Sequence, residues 1–374
     1  MKKVMVVFGT RPEAIKMAPV VFALKNNQDF KVEVCVTGQH KTMLDQVLSF
    51  FEIEPDFDLA VMKDNQGLSE LSARLITKLD EVISSVMPDI VLVHGDTSSA
   101  FIASLVAFYH KIKVGHVEAG LRTYDLDKPW PEEANRQLIS KLGLYHFAPT
   151  EKAKNNLLKE GIKEEFAFLT GNTIVDAVLW TKNKLEEDKE LQTSIIDNLL
   201  KLNVDCETKY ILVTGHRREN LGDGIKQICD ALSQIATKYP ELHIIYPVHL
   251  NPKVKEVVHE LLDNSDRIHL IEPQSYEYFV FLMMKSWMIL TDSGGIQEEA
   301  ITLNKPLLIM RDTTERPEAL IENKAMLVGT NVNNILEKVD YFMSNQNNNV
   351  PVKINPFGDG KSGEYIAKTI SKIL

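Results

Sequence analysis

Trp287-Met288-Ile289-Leu290-Thr291-Asp292-Ser293-Gly294-Gly295-Ile296-Gln297-Glu298-Glu299-Ala300 is the stretch from which the fold is read. The apolar run 287–290 predicts a short buried strand. Ser293 is a good N-cap, and Gly294-Gly295 lets backbone pack closely where strand turns into helix. The unpaired N–H groups of that helix's first turn, with the positive end of its dipole, make the turn a place for an anion, and a diphosphate suits it. Glu299 lies about one turn further in, within reach of both hydroxyls of a ribose beside those phosphates. The same residues also read as a capped helix after a glycine turn and nothing more, because short glycine motifs recur widely. Asp292-Ser293-Gly294 is also half of an aspartic-protease dyad, but that chemistry needs two such triplets on strand-rich halves. This chain has one, followed by a helix.

Outward from this stretch, strand-like runs at 3–8, 32–36, 90–93, 114–117 and 145–148 alternate with helical patterns at 12–25, 41–50, 68–86, 98–109 and 132–142. The pattern repeats with strands at 210–213, 244–248, 268–270, 287–290 and 307–310, separated by helical stretches that include 223–238 and 254–262. Such alternation implies crossover connections and mostly parallel sheets covered on both faces. The predicted fold class is α/β, with two doubly wound Rossmann-like domains facing a cleft, since ligands of such sheets bind beyond the carboxyl ends of the strands. A charged helical region, 174–201, follows Gly171-Asn172-Thr173, which sets the boundary between an N-terminal domain over 1–171 and a C-terminal domain over 172–355. Residues 356–374, whose last part, 363–374, reads as a helix, are expected to pack back toward the N-terminal domain. The Asn-rich run 345–349 reads as an exposed loop.

The 374 residues are 44% hydrophobic and 25% charged, an ordinary balance for a globular enzyme. A net charge of -10 makes nucleic acid and anionic membrane unlikely partners. The start, Met1-Lys2-Lys3 before an apolar run, breaks at Gly9-Thr10-Arg11-Pro12 before any cleavage pattern and reads as a first strand. No apolar stretch approaches the roughly 20 residues of a membrane helix. Cys35, Cys206 and Cys229 are odd in number and scattered, which points to a reducing, cytoplasmic setting and away from structural zinc.

Unusual polar residues gather where strands end. Strand one runs into Gly9-Thr10-Arg11-Pro12-Glu13, with Arg11 and Lys16 bringing positive charge to a helix start; Arg11 is read as a phosphate ligand or as a solvated arginine. Asp96, after His94-Gly95, and Glu118, in Gly115-His116-Val117-Glu118-Ala119-Gly120-Leu121-Arg122-Thr123, emerge at adjacent strand ends. Either could cap a helix or pair with Arg122. Side by side in an electropositive cleft they become acid/base candidates, because repulsion raises one pKa and nearby cations lower the other. Glu132 opens a helix after Pro131 and is a third acid or plain N-terminal helix charge. His216, beside Arg217 and Arg218, should favour its neutral form and could contact a leaving phosphate; a histidine bonded to backbone is the alternative. His116-x-Glu118 lacks the cysteine pair of a zinc deaminase, and neither a Walker lysine motif nor Gly-x-Ser-x-Gly occurs.

As a set, Gly9-Thr10-Arg11-Pro12-Glu13-Ala14-Ile15-Lys16, His94-Gly95-Asp96-Thr97, the 115–123 segment, Pro131-Glu132-Glu133-Ala134-Asn135-Arg136, Gly215-His216-Arg217-Arg218-Glu219, Asp292-Ser293-Gly294-Gly295 and Arg311-Asp312-Thr313-Thr314-Glu315-Arg316-Pro317 resemble the bacterial non-hydrolysing UDP-N-acetylglucosamine 2-epimerases, nearly end to end. The resemblance implies the GT-B arrangement and interconversion of UDP-GlcNAc and UDP-ManNAc without NAD or another cofactor. UDP would leave by elimination to 2-acetamidoglucal and add back, supplying ManNAc units for cell-surface polysaccharide. It implies Asp96, Glu118, Glu132 and His216 as the catalytic set. Ser293, Gly294, Gly295 and Arg11 would then hold the diphosphate, Glu299 the ribose, and Gln274 and Phe279 the uracil, with Lys16 and Arg316 adding positive charge. It also implies a homodimer, and an activating second UDP-GlcNAc site in some relatives at the segment matching Gln39-His40. Thr42 and Asn65 depart from that pattern and put the activation in doubt. Other readings are a glycosyltransferase on the same scaffold, which would need a basic and apolar acceptor face, a hydrolysing variant that releases free ManNAc, and a non-catalytic nucleotide-sugar sensor, which would have no reason to place Asp96, Glu118 and Glu132 together.

Overall fold

The structure, a computed structural model, describes residues 1–38, 41–63, 66–263, 265–321, 324–345 and 354–374. Gln39, His40, Asn65 and most of the Asn-rich run lie outside the described residues, as do the side chains of Thr42 and Arg218. The chain divides into two compact units, Met1–Ala177 with Phe357–Leu374, and Val178–Pro356. The division falls inside the helix Thr173–Glu187.

The first unit carries a seven-stranded parallel sheet built from β1 (Lys2–Phe8), β2 (Phe30–Val36), β3 (Phe57–Asp58), β4 (Ile90–His94), β5 (Lys113–Val117), β6 (Tyr145–Ala148) and β7 (Ala167–Leu169), in the order β3-β2-β1-β4-β5-β6-β7. The second carries a six-stranded parallel sheet from β8 (Tyr210–Thr214), β9 (His243–Pro247), β10 (Ile268–Ile271), β11 (Met288–Thr291), β12 (Leu307–Ile309) and β13 (Ala325–Leu327), ordered β10-β9-β8-β11-β12-β13. Both orders are doubly wound. Each reverses direction once, between β1 and β4 and between β8 and β11, and a doubly wound sheet opens its ligand crevice at that reversal.

Val4 to Phe8 and Ile90 to Val93 have no solvent exposure. Near-continuous apolar strands of this kind require cover on both faces, which crossover helices supply. Leu71, Leu75, Leu79 and Ile83, spaced by four along the helix Leu68–Val86, pack with Ala100, Ala103 and Ala107 of Ser98–Tyr109 against the first sheet. Ile225, Ile228, Leu232 and Ile235 of Asp223–Lys238 do the same for the second. The helix Ser362–Ile373 belongs to the first unit, where Gly363 meets Arg11–Lys25 so closely that a Cβ would lie 2.6 Å from the Pro19 carbonyl oxygen.

The strand expected at 287–290 spans 288–291; Trp287, just before it, still donates its N–H to the Tyr210 carbonyl at 2.9 Å and lies under the Lys209 ammonium, 4.2 Å from its ring centre. Among the described residues no helix is long and apolar enough to cross a membrane.

Candidate active site

At the reversal of the first sheet, β1 runs into Gly9, where an added Cβ would stand 2.0 Å from Thr37 Oγ1 and 2.6 Å from Ser99 Oγ, so only glycine brings the turn this close to the sheet. Thr10 then caps the helix Arg11–Lys25, and Glu13 completes a capping box. The Glu13 carboxylate accepts from the N–H of Thr10 at 2.8 Å, the N–H of Gly9 at 3.0 Å and the hydroxyl of Thr97 at 2.7 Å. Thr97 in turn caps the helix Ser98–Tyr109. Glu13 therefore ties together the turns after β1 and β4. Its burial raises its pKa, and the hydrogen bonds oppose that rise. Arg11, half-buried, opens this helix, while Lys16 is buried one turn on.

Asp96 and Glu118 follow β4 and β5, neighbouring strands paired from Ile90 with Lys113 to His94 with Val117. Both lie beside left-handed backbone. Gly95 has φ +64°, and Glu118 itself has φ +60°, a conformation a non-glycine residue keeps only where its surroundings over-determine it. The buried His116 donates from Nε2 to the Gly95 carbonyl at 2.7 Å and so fixes the turn carrying Asp96.

The two carboxylates have different companions. Asp96 Oδ2 accepts from Arg136 Nη2 at 2.5 Å, and its carbonyl accepts from Asn135 Nδ2 at 2.9 Å. Burial raises its pKa, Arg136 opposes, and the nearby charges of Glu118 and Glu132 add to the rise. Glu118 Oε2 accepts from Lys16 Nζ and, at 2.9 Å, from Asn172 Nδ2. The His94 Nε2 atom stands 3.8 Å from the same oxygen, and burial pushes that histidine down to about 4, so it is neutral at physiological pH. Lys16, expected as a charge for the substrate, is thus engaged by Glu118. The pairing of either acid with Arg122 does not occur: Arg122 forms a two-point pair with Glu160 at 2.7 and 2.8 Å. Glu132, half-buried, starts the helix Glu132–Leu142, and its fully buried neighbour Glu133 holds the preceding loop through the N–H groups of Thr123 and Tyr124.

At the reversal of the second sheet, β11 delivers Asp292 with no solvent exposure. Its Oδ2 accepts from the N–H groups of His216 and Arg217, both at 2.9 Å, and from Asn220 Nδ2 at 3.1 Å. The loop after β8 is thereby held against the end of β11. His216 stacks on His249 with ring centres 4.8 Å apart. Its pKa is lowered, as expected, but desolvation is the leading cause; His249 and Arg217 add to it and Asp292 opposes. Ser293 occupies the N-cap of the helix Gly294–Thr302, although its side chain makes no capping hydrogen bond. An added Cβ on Gly294 would lie 3.6 Å from Arg217 Nη2, and one on Gly295 would have nothing within 4 Å. A guanidinium beside the positive end of a helix is repelled by it unless an anion joins the two. Glu299 is buried on this helix. Arg316 is buried in an ion pair with Glu298 at 2.5 Å. Gln274 donates to the Glu272 carbonyl at 2.6 Å, and Phe279 is half-buried on Tyr276–Lys285.

Sequence reading assigned no role to Glu13, Asp292, Arg136 or Asn172. Only Glu13 had a usable local signal, the Thr-x-x-Glu spacing of a capping box.

Two doubly wound units, one with paired carboxylates at its reversal point and the other with a glycine turn and arginine at its own, are the make-up of a nucleotide-sugar enzyme. The UDP-N-acetylglucosamine 2-epimerase family model matches residues 22–371, and the chain belongs to that family. It is 52% identical over 370 residues, 98% of each chain, to the UDP-N-acetylglucosamine 2-epimerase of Yersinia pestis, and 50% identical, again over 98% of each, to that of Escherichia coli K12. Among solved structures it resembles the UDP-GlcNAc 2-epimerase of Neisseria meningitidis bound to UDP-GlcNAc, at 49% identity and a TM-score of 0.92, over 99% of this chain and 100% of that one. The enzyme of Methanocaldococcus jannaschii, in complex with UDP-GlcNAc and UDP, matches at 35% identity and a TM-score of 0.85, over 99% of both chains. The protein is accordingly an epimerase, of the isomerase class.

Proposed function

We propose that this epimerase interconverts UDP-GlcNAc and UDP-ManNAc by elimination and re-addition of UDP. A carboxylate takes the proton from C2, the electron pair of that bond forms the C1–C2 double bond, and the C1–O bond breaks with UDP carrying away its electrons. Return of UDP to C1 and of a proton to the opposite face of C2 gives the epimer. Asp96 and Glu118 are the groups that move protons at C2, Glu132 positions or assists, and His216 stabilises departing UDP. Arg11, Ser293, Gly294 and Gly295 take the diphosphate, Glu299 the ribose, Gln274 and Phe279 the uracil, with Lys16 and Arg316 supplying charge. The observation that supports this reading most directly is the pair of carboxylates on adjacent strand ends with unequal companions, Arg136 for Asp96 and Lys16 with Asn172 for Glu118. Inequality is what a two-face proton exchange needs, one group to take a proton while another gives one.

Proton NMR of UDP-GlcNAc with the purified protein in deuterated water tests it. UDP-ManNAc signals growing with deuterium at C2, and without accumulating UDP, are expected. Unchanged spectra despite saturable UDP binding remove the reading, and free ManNAc with UDP replaces it by hydrolysis. We further infer a cytoplasmic homodimer that needs no cofactor and feeds surface-polysaccharide synthesis; sedimentation of the purified protein checks the dimer.

A further inference from the structure

We propose that Asn172 is a positioning residue for Glu118, its side-chain amide fixing the orientation of that carboxylate during proton transfer. The inference rests on the reading of Glu118 as a proton-transfer group.

The Glu118 side chain is only 8% exposed, and Lys16 and Asn172 both donate to its Oε2. The two donors come from near opposite ends of the first of that unit's two stretches of chain. Lys16 supplies charge. Asn172 supplies direction, because its amide is fixed on both sides. Its Oδ1 accepts from the N–H of Ile174 at 3.2 Å, at the start of the helix Thr173–Glu187, so its Nδ2 is the end that faces Glu118. Its backbone N–H donates to the Phe357 carbonyl at 2.7 Å. The preceding Gly171, at φ +80°, is pressed against the same returning segment: a Cβ there would lie 2.8 Å from Ser362 Oγ and 3.1 Å from Phe357 O. The amide N–H only donates, so it holds the Glu118 oxygen it meets without taking up a proton itself. Held in this way, Glu118 keeps its left-handed backbone and a single side-chain direction.

Asn172→Asp separates positioning from folding. Aspartate caps helices as well as asparagine does and keeps the acceptor for Ile174, but it turns the donor toward Glu118 into a second carboxylate. The charged or titratable groups facing Glu118 include Lys16 from the helix Arg11–Lys25, His94 from β4 and Asp96 from the turn after β4. With a further carboxylate among them, the acidic limb of the kcat–pH profile should move up by about one unit or more, because two carboxylates at one site resist joint ionisation. At a pH on that limb kcat should fall about tenfold, one decade for each pKa unit, with KM within about twofold of the parent. Asn172→Ser keeps a hydroxyl for the cap but cannot reach Glu118, and should lower kcat at unchanged KM. Glu118→Gln, measured alongside, should abolish deuterium exchange at C2. Parental kcat and pH profile in Asn172→Asp, or parental kcat in Asn172→Ser, overturn the inference. If Glu118→Gln exchanges at the parental rate, the reading of Glu118 falls and this inference with it; if Glu118→Gln is inactive while the Asn172 variants behave as the parent, only the inference falls.

Discussion

Asp96 and Asp292 occupy corresponding places, each at the carboxyl end of a strand beside a sheet reversal, yet they do opposite things. Asp96 is partly open and its pKa is raised, so a proton stays on it to higher pH than on an ordinary aspartate. Asp96→Asn should lower kcat by about 10²- to 10⁴-fold, the usual worth of a positioned acid or base, with KM nearly unchanged; a rate within threefold of the parent removes it from proton transfer. Asp292 is closed off and serves as an acceptor for the His216 loop. Asp292→Ala leaves those donors without their acceptor and should cost about 2–4 kcal/mol in urea denaturation. Asp292→Asn retains one acceptor oxygen and should recover about half of that loss. Reading residues in order placed Asp96, Glu118 and the Ser293 turn at strand ends, because glycine marks each. The tie from Glu13 to Thr97 and the hold of Asp292 on the His216 loop were illegible there, since those partners lie 84 and 76 positions away in the chain.

Three neighbouring strands each carry one buried histidine: His94 on β4, His116 on β5 and His146 on β6. Burial lowers them to about 4, about 3 and about 4. Between those values and the ordinary 6.5, the unfolded chain binds protons that the folded chain refuses. Stability therefore rises with pH across that window and is lost as pH falls from 6.5 toward 4, by about 1.4 kcal/mol per pH unit for each histidine. Urea denaturation at pH 7 and pH 5 should show this loss, and His146→Leu should reduce its slope by about one proton's worth; an unaltered slope denies the mechanism for that residue. At this scale sequence patterning served well, because strands buried on both faces are long apolar runs. It missed β3, β7 and β13, which have two or three residues each.

The first unit is assembled from two separated stretches of chain, and their junction is tight where Gly363 meets Pro19. Gly363→Ala should push the helix Ser362–Ile373 off Arg11–Lys25, costing about 1–3 kcal/mol as overpacking does. A lowered Tm together with faster proteolysis near residue 360 is the expected signature; an unchanged Tm would mean that the junction yields without loss. The alternating pattern made two sheets legible from the sequence. The way residues 357–374 and Asn172 interlock was not, because it depends on backbone contacts that no periodicity encodes.

That discontinuity also bears on synthesis. Between the two stretches of the first unit the ribosome must add about 180 residues, those of the second unit. At about 5–20 residues per second this takes roughly 10–40 s. Throughout that interval the face of Arg11–Lys25 that Gly363 will cover is bare on the nascent chain. The unit translated first is thus the one completed last, and chaperones have their longest opportunity to engage this protein at its amino-terminal sheet.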